Sequence, residues 1–134
     1  MAISLDRLVG FHHKALQVRT DKMEVISGNL ANANTPGYKA RDIDFKQAMA
    51  SARYDRDHNL SRTHEKHFEG RMQRQGEIEY RVPNQPDTGD GNTVEVQTER
   101  NLFLENGMRY QAGIQFLDGK IKGMKKALAG GQGG

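Results

Sequence analysis

The sequence predicts a mainly α fold in which long N- and C-terminal helices pack as a coiled-coil-like pair, joined by an extended, mostly irregular middle arm. Three observations carry this. Apolar residues recur every three or four positions from about residue 4 to 33, they do so again beyond Val94, and the span between is polar with mixed charge. Hydrophobic residues make up only 35% of the 134 positions and mean hydropathy is -0.83, so a conventional self-sufficient core is not expected. The chain accordingly divides into a first helix and its turn (1-38), a middle arm (39-91) and a second helix with a Gly-rich tail (92-134), the outer two forming one α-domain.

In the first helix the spacing alternates between three and four: Leu5, Val9, His12, Leu16, Arg19, Met23, Ile26, Leu30, Ala33. One row of this heptad seam (Val9, Leu16, Met23, Leu30) is wholly apolar, and the other is interrupted by His12 and Arg19. Ser4 is the natural N-cap. Thirty helical residues extend about 45 Å.

The helix stops at Asn29-Leu30-Ala31-Asn32-Ala33-Asn34-Thr35-Pro36-Gly37-Tyr38. Thr35 precedes proline and is pushed out of the α region, and Pro36-Gly37 suits the central pair of a type II turn, proline fixing φ and glycine accepting φ > 0. Termination needs no more than that. It leaves unexplained three asparagines in six residues, since Asn is a mediocre helix former whose amide needs partners when buried. Those partners are expected from outside the helix, and Asn29, Asn32, Asn34, Thr35, Pro36, Gly37 and Tyr38 are read as a subunit-interface motif. Tyr38, an aromatic with a hydroxyl just past the turn, suits a half-wet contact.

In the arm, Ile43, Phe45, Ala48 and Met49 fit a short helical segment and Glu77 to Val82 alternates like a short strand, after which Pro83, Pro86, Gly89 and Gly91 break regularity. Asp90-Gly91 then turns the chain into the second helix, for which Asn92 is the expected cap, with Glu95 three residues on to reach back. Its seam is Phe103, Gly107, Tyr110, Ile114, Leu117, Ile121, Met124 and Leu128. Lys120, Lys122, Lys125 and Lys126 gather near the negative pole of the helix dipole, and Gly130-Gly131-Gln132-Gly133-Gly134 ends it.

Two helices bury one stripe each, which contributes only about 3 to 5 kcal/mol before the arm is ordered. The apolar residues off the seams, Val18, Val25, Leu102, Leu104 and Phe116, are therefore read as contacts to other subunits.

The chemistry-bearing patterns are weak. The chain has no cysteine, so disulfides and thiolate chemistry are excluded. His64-Glu65-Lys66-His67, with His58 nearby, has the wrong spacing for a zincin helix. Asp87-Thr88-Gly89-Asp90-Gly91-Asn92 places glycine where a calcium loop needs oxygen ligands, and reads as a turn. No phosphate loop, nucleophile elbow or carboxylate pair appears, so neither enzyme nor cofactor is expected. The net charge of +3 and pI near 9.3 leave a small basic nucleic-acid-binding protein as the alternative. Against it, Arg53-Tyr54-Asp55-Arg56-Asp57 and Glu77-Ile78-Glu79-Tyr80-Arg81 mix the signs locally. No window has the length of a membrane span or of a signal-peptide core, so neither membrane insertion nor a cleavable leader is expected.

The Asn-rich segment at the end of an N-terminal amphipathic helix resembles the signature of the bacterial flagellar axial proteins, the rod, hook and hook-associated subunits. Tyr38-Lys39-Ala40-Arg41-Asp42-Ile43-Asp44-Phe45, Tyr80-Arg81-Val82-Pro83-Asn84-Gln85-Pro86 and Asp90-Gly91-Asn92-Thr93-Val94 extend the likeness over nearly the whole chain, and the short length resembles that of the proximal rod subunits. Tyr110-Gln111-Ala112-Gly113 carries glycine where many of these proteins have asparagine. The resemblance implies a structural subunit exported unfolded through the flagellar type III apparatus and polymerising in the periplasm into the torque-transmitting rod of the basal body. Its implied partners are copies of itself, other rod proteins, a FliE-like adaptor and the export gate.

Overall fold

The structure is a computed structural model that describes residues 5–57, 78–84 and 89–130. The order of elements is α1 (Leu5–Ala31), β1 (Arg41–Ile43), α2 (Phe45–Asp57), β2 (Ile78–Tyr80) and α3 (Val96–Gly130). The expected cap Ser4, the histidines at 58, 64 and 67, and the last four residues of the tail lie outside the described residues.

α1 and α3 run antiparallel. Along their contact Asn29 meets Glu99, Arg19 meets Asn106, and the rings of His12 and Phe116 lie 5.0 Å apart, so positions descend on one helix as they rise on the other. Two glycines let the helices approach: a methyl at Gly107 would lie 3.6 Å from Met23 Cε, and one at Gly113 only 3.2 Å from Leu16 Cδ2. Along α3 the pairs Glu105–Arg109 and Asp118–Lys122, four apart, support the helix at 2.8 and 2.7 Å. The hydrogen bond from Lys122 to Asp118 holds that ammonium above its ordinary pKa.

In α1 Ile26 is fully buried and Val9, Leu16, Met23 and Leu30 are half-buried. The two buried side chains of α3 are Glu99 and Asn106, one heptad apart, while Tyr110, Leu117, Ile121 and Met124 are half-buried and Phe103, Ile114 and Leu128 stand at the exposed margin.

The arm folds back on the other side of α1. Asp44 starts α2, its carboxylate accepting from the Gln47 amide at 3.1 Å and its carbonyl from the Ala48 amide. Ile43, Ala48 and Met49 then pack on Val18, with Ala15, Val25 and Phe45 around them. This corrects the assignment of Val18 and Val25 to neighbouring subunits: Val18 is 1% exposed because α2 covers it within the same molecule. The short helix expected in the arm is present but starts at Phe45, leaving Ile43 in β1; of the strand expected from Glu77 to Val82 the described part pairs over Ile78–Tyr80, and its partner β1 was not expected. β1 and β2 pair antiparallel with Arg41 opposite Tyr80, Asp42 opposite Glu79 and Ile43 opposite Ile78.

Candidate functional site

The Asn-rich end of α1 is where the helix pair, the ribbon and the loop before α3 meet. Asn29 is fully buried. Its Oδ1 accepts from the Arg41 amide at 3.0 Å, and its Nδ2 donates to the Arg41 carbonyl at 2.7 Å and to Glu99 Oε2 at 3.1 Å. One side chain thus closes the backbone of the first strand residue onto α1 and fixes a carboxylate of α3. Glu99, itself buried, takes the guanidinium of Arg81 on its other oxygen. Arg81 also places Nη2 3.1 Å from Asp42 Oδ2, an ion pair whose angle falls short of a hydrogen bond, and Lys22 lies 3.7 Å from the same residue's Oδ1. Burying Glu99 is tolerable because both of its oxygens are engaged by a donor or a cation.

The turn beyond follows the sequence. The Tyr38 amide donates to the Thr35 carbonyl at 3.2 Å, closing a four-residue turn around Pro36-Gly37, and Gly37 has φ of 73°, as type II requires. Asn32 Nδ2 donates back to the Gly28 carbonyl and its Oδ1 accepts from the Thr35 hydroxyl. Tyr38 is half-buried, its hydroxyl 3.8 Å from where a side chain at Gly28 would begin. Asn34, Thr35, Pro36 and Gly37 are exposed.

Asn92 has a different task from the one expected. Its Nδ2 donates to the carbonyls of Asn32, Ala33 and Thr35 at 3.0, 3.0 and 2.8 Å, capping the C-terminal end of α1, while its Oδ1 accepts from the Val94 amide at 2.8 Å, ahead of α3 rather than within its first turn. With Asn92 committed there, α3 starts at Val96, and Glu95 turns its carboxylate to Thr98 Oγ1 and the Asn84 amide instead of reaching back. Thr93 continues the tie, accepting from the Ala40 amide through its hydroxyl and donating its own amide to the Tyr38 carbonyl. Gly91 is likewise pinned, its carbonyl taken by Lys39 Nζ at 2.6 Å.

Of the predicted motif residues, Asn29 and Asn32 are therefore satisfied within this chain, and Asn34 to Gly37 form its outward tip. Sequence reasoning missed Arg81, Glu99 and Asn106. A signal existed for the last two, since they stand seven apart on a helix whose seam is otherwise apolar. Among the described residues, no His, Cys, Asp and Glu side chains gather in a group able to hold a metal ion.

Residues 11–39, which span most of α1 and this turn, match the family described as flagella basal body rod protein. The chain is 52% identical to the flagellar basal body rod protein FlgB of Aeromonas hydrophila over 98% of its own length and 100% of that protein. It is 38% identical to FlgB of Escherichia coli K12, covering 98% and 99%, and 39% identical to FlgB of Salmonella typhimurium, covering 95% and 96%. The chain belongs to the flagellar basal body rod protein family. Neither the family nor these relatives supports the nucleic-acid alternative. The family match ends at Lys39, whereas the relatives extend across the ribbon and α3, so the partners of Asn29 fall within the wider likeness. No helix among the described residues is long and apolar enough to cross a membrane.

Proposed function

We propose that this chain is a structural, non-enzymatic subunit of the proximal rod, polymerising through its terminal helices into the shaft that transmits torque. The observation that carries the reading is the outward surface of α3. Leu104 and Met108, one turn apart, are 64% and 73% exposed, two adjacent apolar side chains on a 35-residue helix that the described chain leaves uncovered. Such a surface suits burial against helices of adjacent subunits, which are here taken to be further copies and other rod proteins. The exposed tip Asn34-Thr35-Pro36-Gly37 is a second contact in the same reading, and the heptad margin at Phe103 and Ile114 a third. Export by the flagellar type III apparatus, assembly in the periplasm, and contacts to a FliE-like adaptor and the export gate belong to this proposal as well.

The experiment is complementation of an in-frame deletion. The deletion abolishes swimming and the rod, and the unaltered chain restores both. The double substitution Leu104→Glu with Met108→Glu leaves helicity and export intact and fails to restore swimming, because it places two carboxylates in a face that must be desolvated. Normal swimming with that double variant would remove the outer face of α3 from the assembly.

A further inference from the structure

We infer that Arg19 is a docking point for a carboxylate of a neighbouring protein subunit, received in the cleft between α1, α3 and the β1–β2 ribbon. The inference rests on the rod-subunit reading for the identity of the neighbour and on the cleft itself for the chemistry. That cleft has a volume of about 500 Å³, and the side chain of Arg19 forms part of its wall.

The ionic groups around it are unequally provided for. Asp42 is shared by Lys22 and Arg81, and Glu105 is held by Arg109 at 2.8 Å. An oxygen of the Asp44 carboxylate is taken by the Gln47 amide. Arg19 has no carboxylate within ion-pair distance among the described residues. Its guanidinium carbon lies over the Phe45 ring, 3.8 Å from the centroid, and its Nη1 reaches only the Asn106 amide oxygen at 3.5 Å, the far limit of a hydrogen bond. Meanwhile Asn106 Nδ2 donates to the Arg19 carbonyl at 2.8 Å, which holds the backbone under that side chain.

The position is electrostatically poor for a lone cation. Burial, and after it the neighbouring Arg109, push the Arg19 guanidinium below its ordinary pKa, with Glu105 pulling the other way. An arginine does not escape by losing its proton, and although Glu79 and Glu105 line the same cleft neither lies within ion-pair distance of Arg19, so an incoming anion would stabilise it. The contact with Phe45 holds the guanidinium in place, and Nη1 to Asn106 is its only hydrogen bond among the described residues, so further N–H donors remain for a carboxylate, which arginine can bind in bidentate fashion. Arg19 also interrupts the apolar seam of α1 at a place where leucine would pack without electrostatic cost. Among the described residues this half-buried cation stands without an ion pair, which assembly supplies.

The test uses assembled basal bodies. Arg19→Lys keeps the charge and introduces an amine, and a carbodiimide then joins that amine to a carboxylate in direct contact. The expected product is an amide between position 19 and an Asp or Glu of another polypeptide. Coupling only within the same chain, or none while other lysines of the same rods couple, overturns the inference. A tagged unaltered chain absent from basal bodies would instead overturn the rod reading itself. As a second arm, Arg19→Glu is expected to lower recovery of the chain in basal bodies by at least about tenfold. Recovery equal to that of the unaltered chain contradicts the docking role. If Arg19→Glu fails to fold, the crosslink decides alone.

Discussion

Asn29 explains why an asparagine stands in the last turns of a helix where alanine or leucine would be the better helix former. Its buried amide makes three hydrogen bonds to two other segments, and the one to Glu99 is fully shielded from water. Asn29→Ala would leave the Arg41 amide and carbonyl without side-chain partners and remove a donor from a buried carboxylate, a loss of about 2 to 4 kcal/mol. Asn29→Asp should cost more, because it sets a second carboxylate against Glu99. Urea titration of the purified variants checks both, and a loss below about 0.5 kcal/mol for the alanine would deny the amide this role. That Asn29 needs partners was legible in the sequence; that they are Arg41 and Glu99 was not. Residues 12 and 70 positions away become neighbours only through the antiparallel return of α3 and the fold-back of the arm. Asn92 is the same lesson reversed. An amide just before a helix is chemically able to cap it, and only the topology reveals that the end of α1 lies closer.

At the scale of elements, periodicity predicted both long helices because each buries one stripe, and a 3.5-residue repeat survives any detail of packing. It missed that Glu99 and Asn106 are the most deeply buried residues of α3, since a seam of Phe103, Tyr110, Leu117 and Met124 and one containing Glu99, Asn106 and Gly113 differ by a small rotation. The β1 strand escaped notice because three residues, Arg41-Asp42-Ile43, carry too little alternation to register. The C-terminal half of α3 offers a clean measurement of helix propensity. At Gly119 and Gly123 an added methyl would meet nothing within 4 Å, so alanine there should stabilise the isolated chain by about 0.8 to 1 kcal/mol per site. Gly113→Ala should gain much less, because Leu16 must yield by a few tenths of an ångström to admit it. Thermal melts of the three variants rank them, and a Gly113 variant as stable as the other two would mean that the α1–α3 contact is looser there than the structure has it.

For the whole molecule the decisive quantity is how little apolar surface is shut away. Among the described residues the fully buried apolar side chains are Val18, Ile26, Ala40, Ile43, Ala48 and Met49, two of them only alanines, while α3 holds several larger ones in water. The polar junction around Asn29 and Glu99 makes the connections specific, but hydrogen bonds exchanged with water add little net stability. A chain built this way should unfold in dilute solution over a broad temperature range, with a small dependence on urea, and should gain helicity and cooperativity when its α3 surface is covered. Circular dichroism of the monomer, compared with the same protein in assembled rods, measures this directly. A sharp two-state melt above about 65 °C for the monomer would mean that the outward apolar surface is no liability. The case for subunit burial as the source of stability would then fall, even if the protein were found in the rod. The expected broad melt also fits the proposed export of the chain unfolded, since its last increment of stability would then be supplied at the site of assembly.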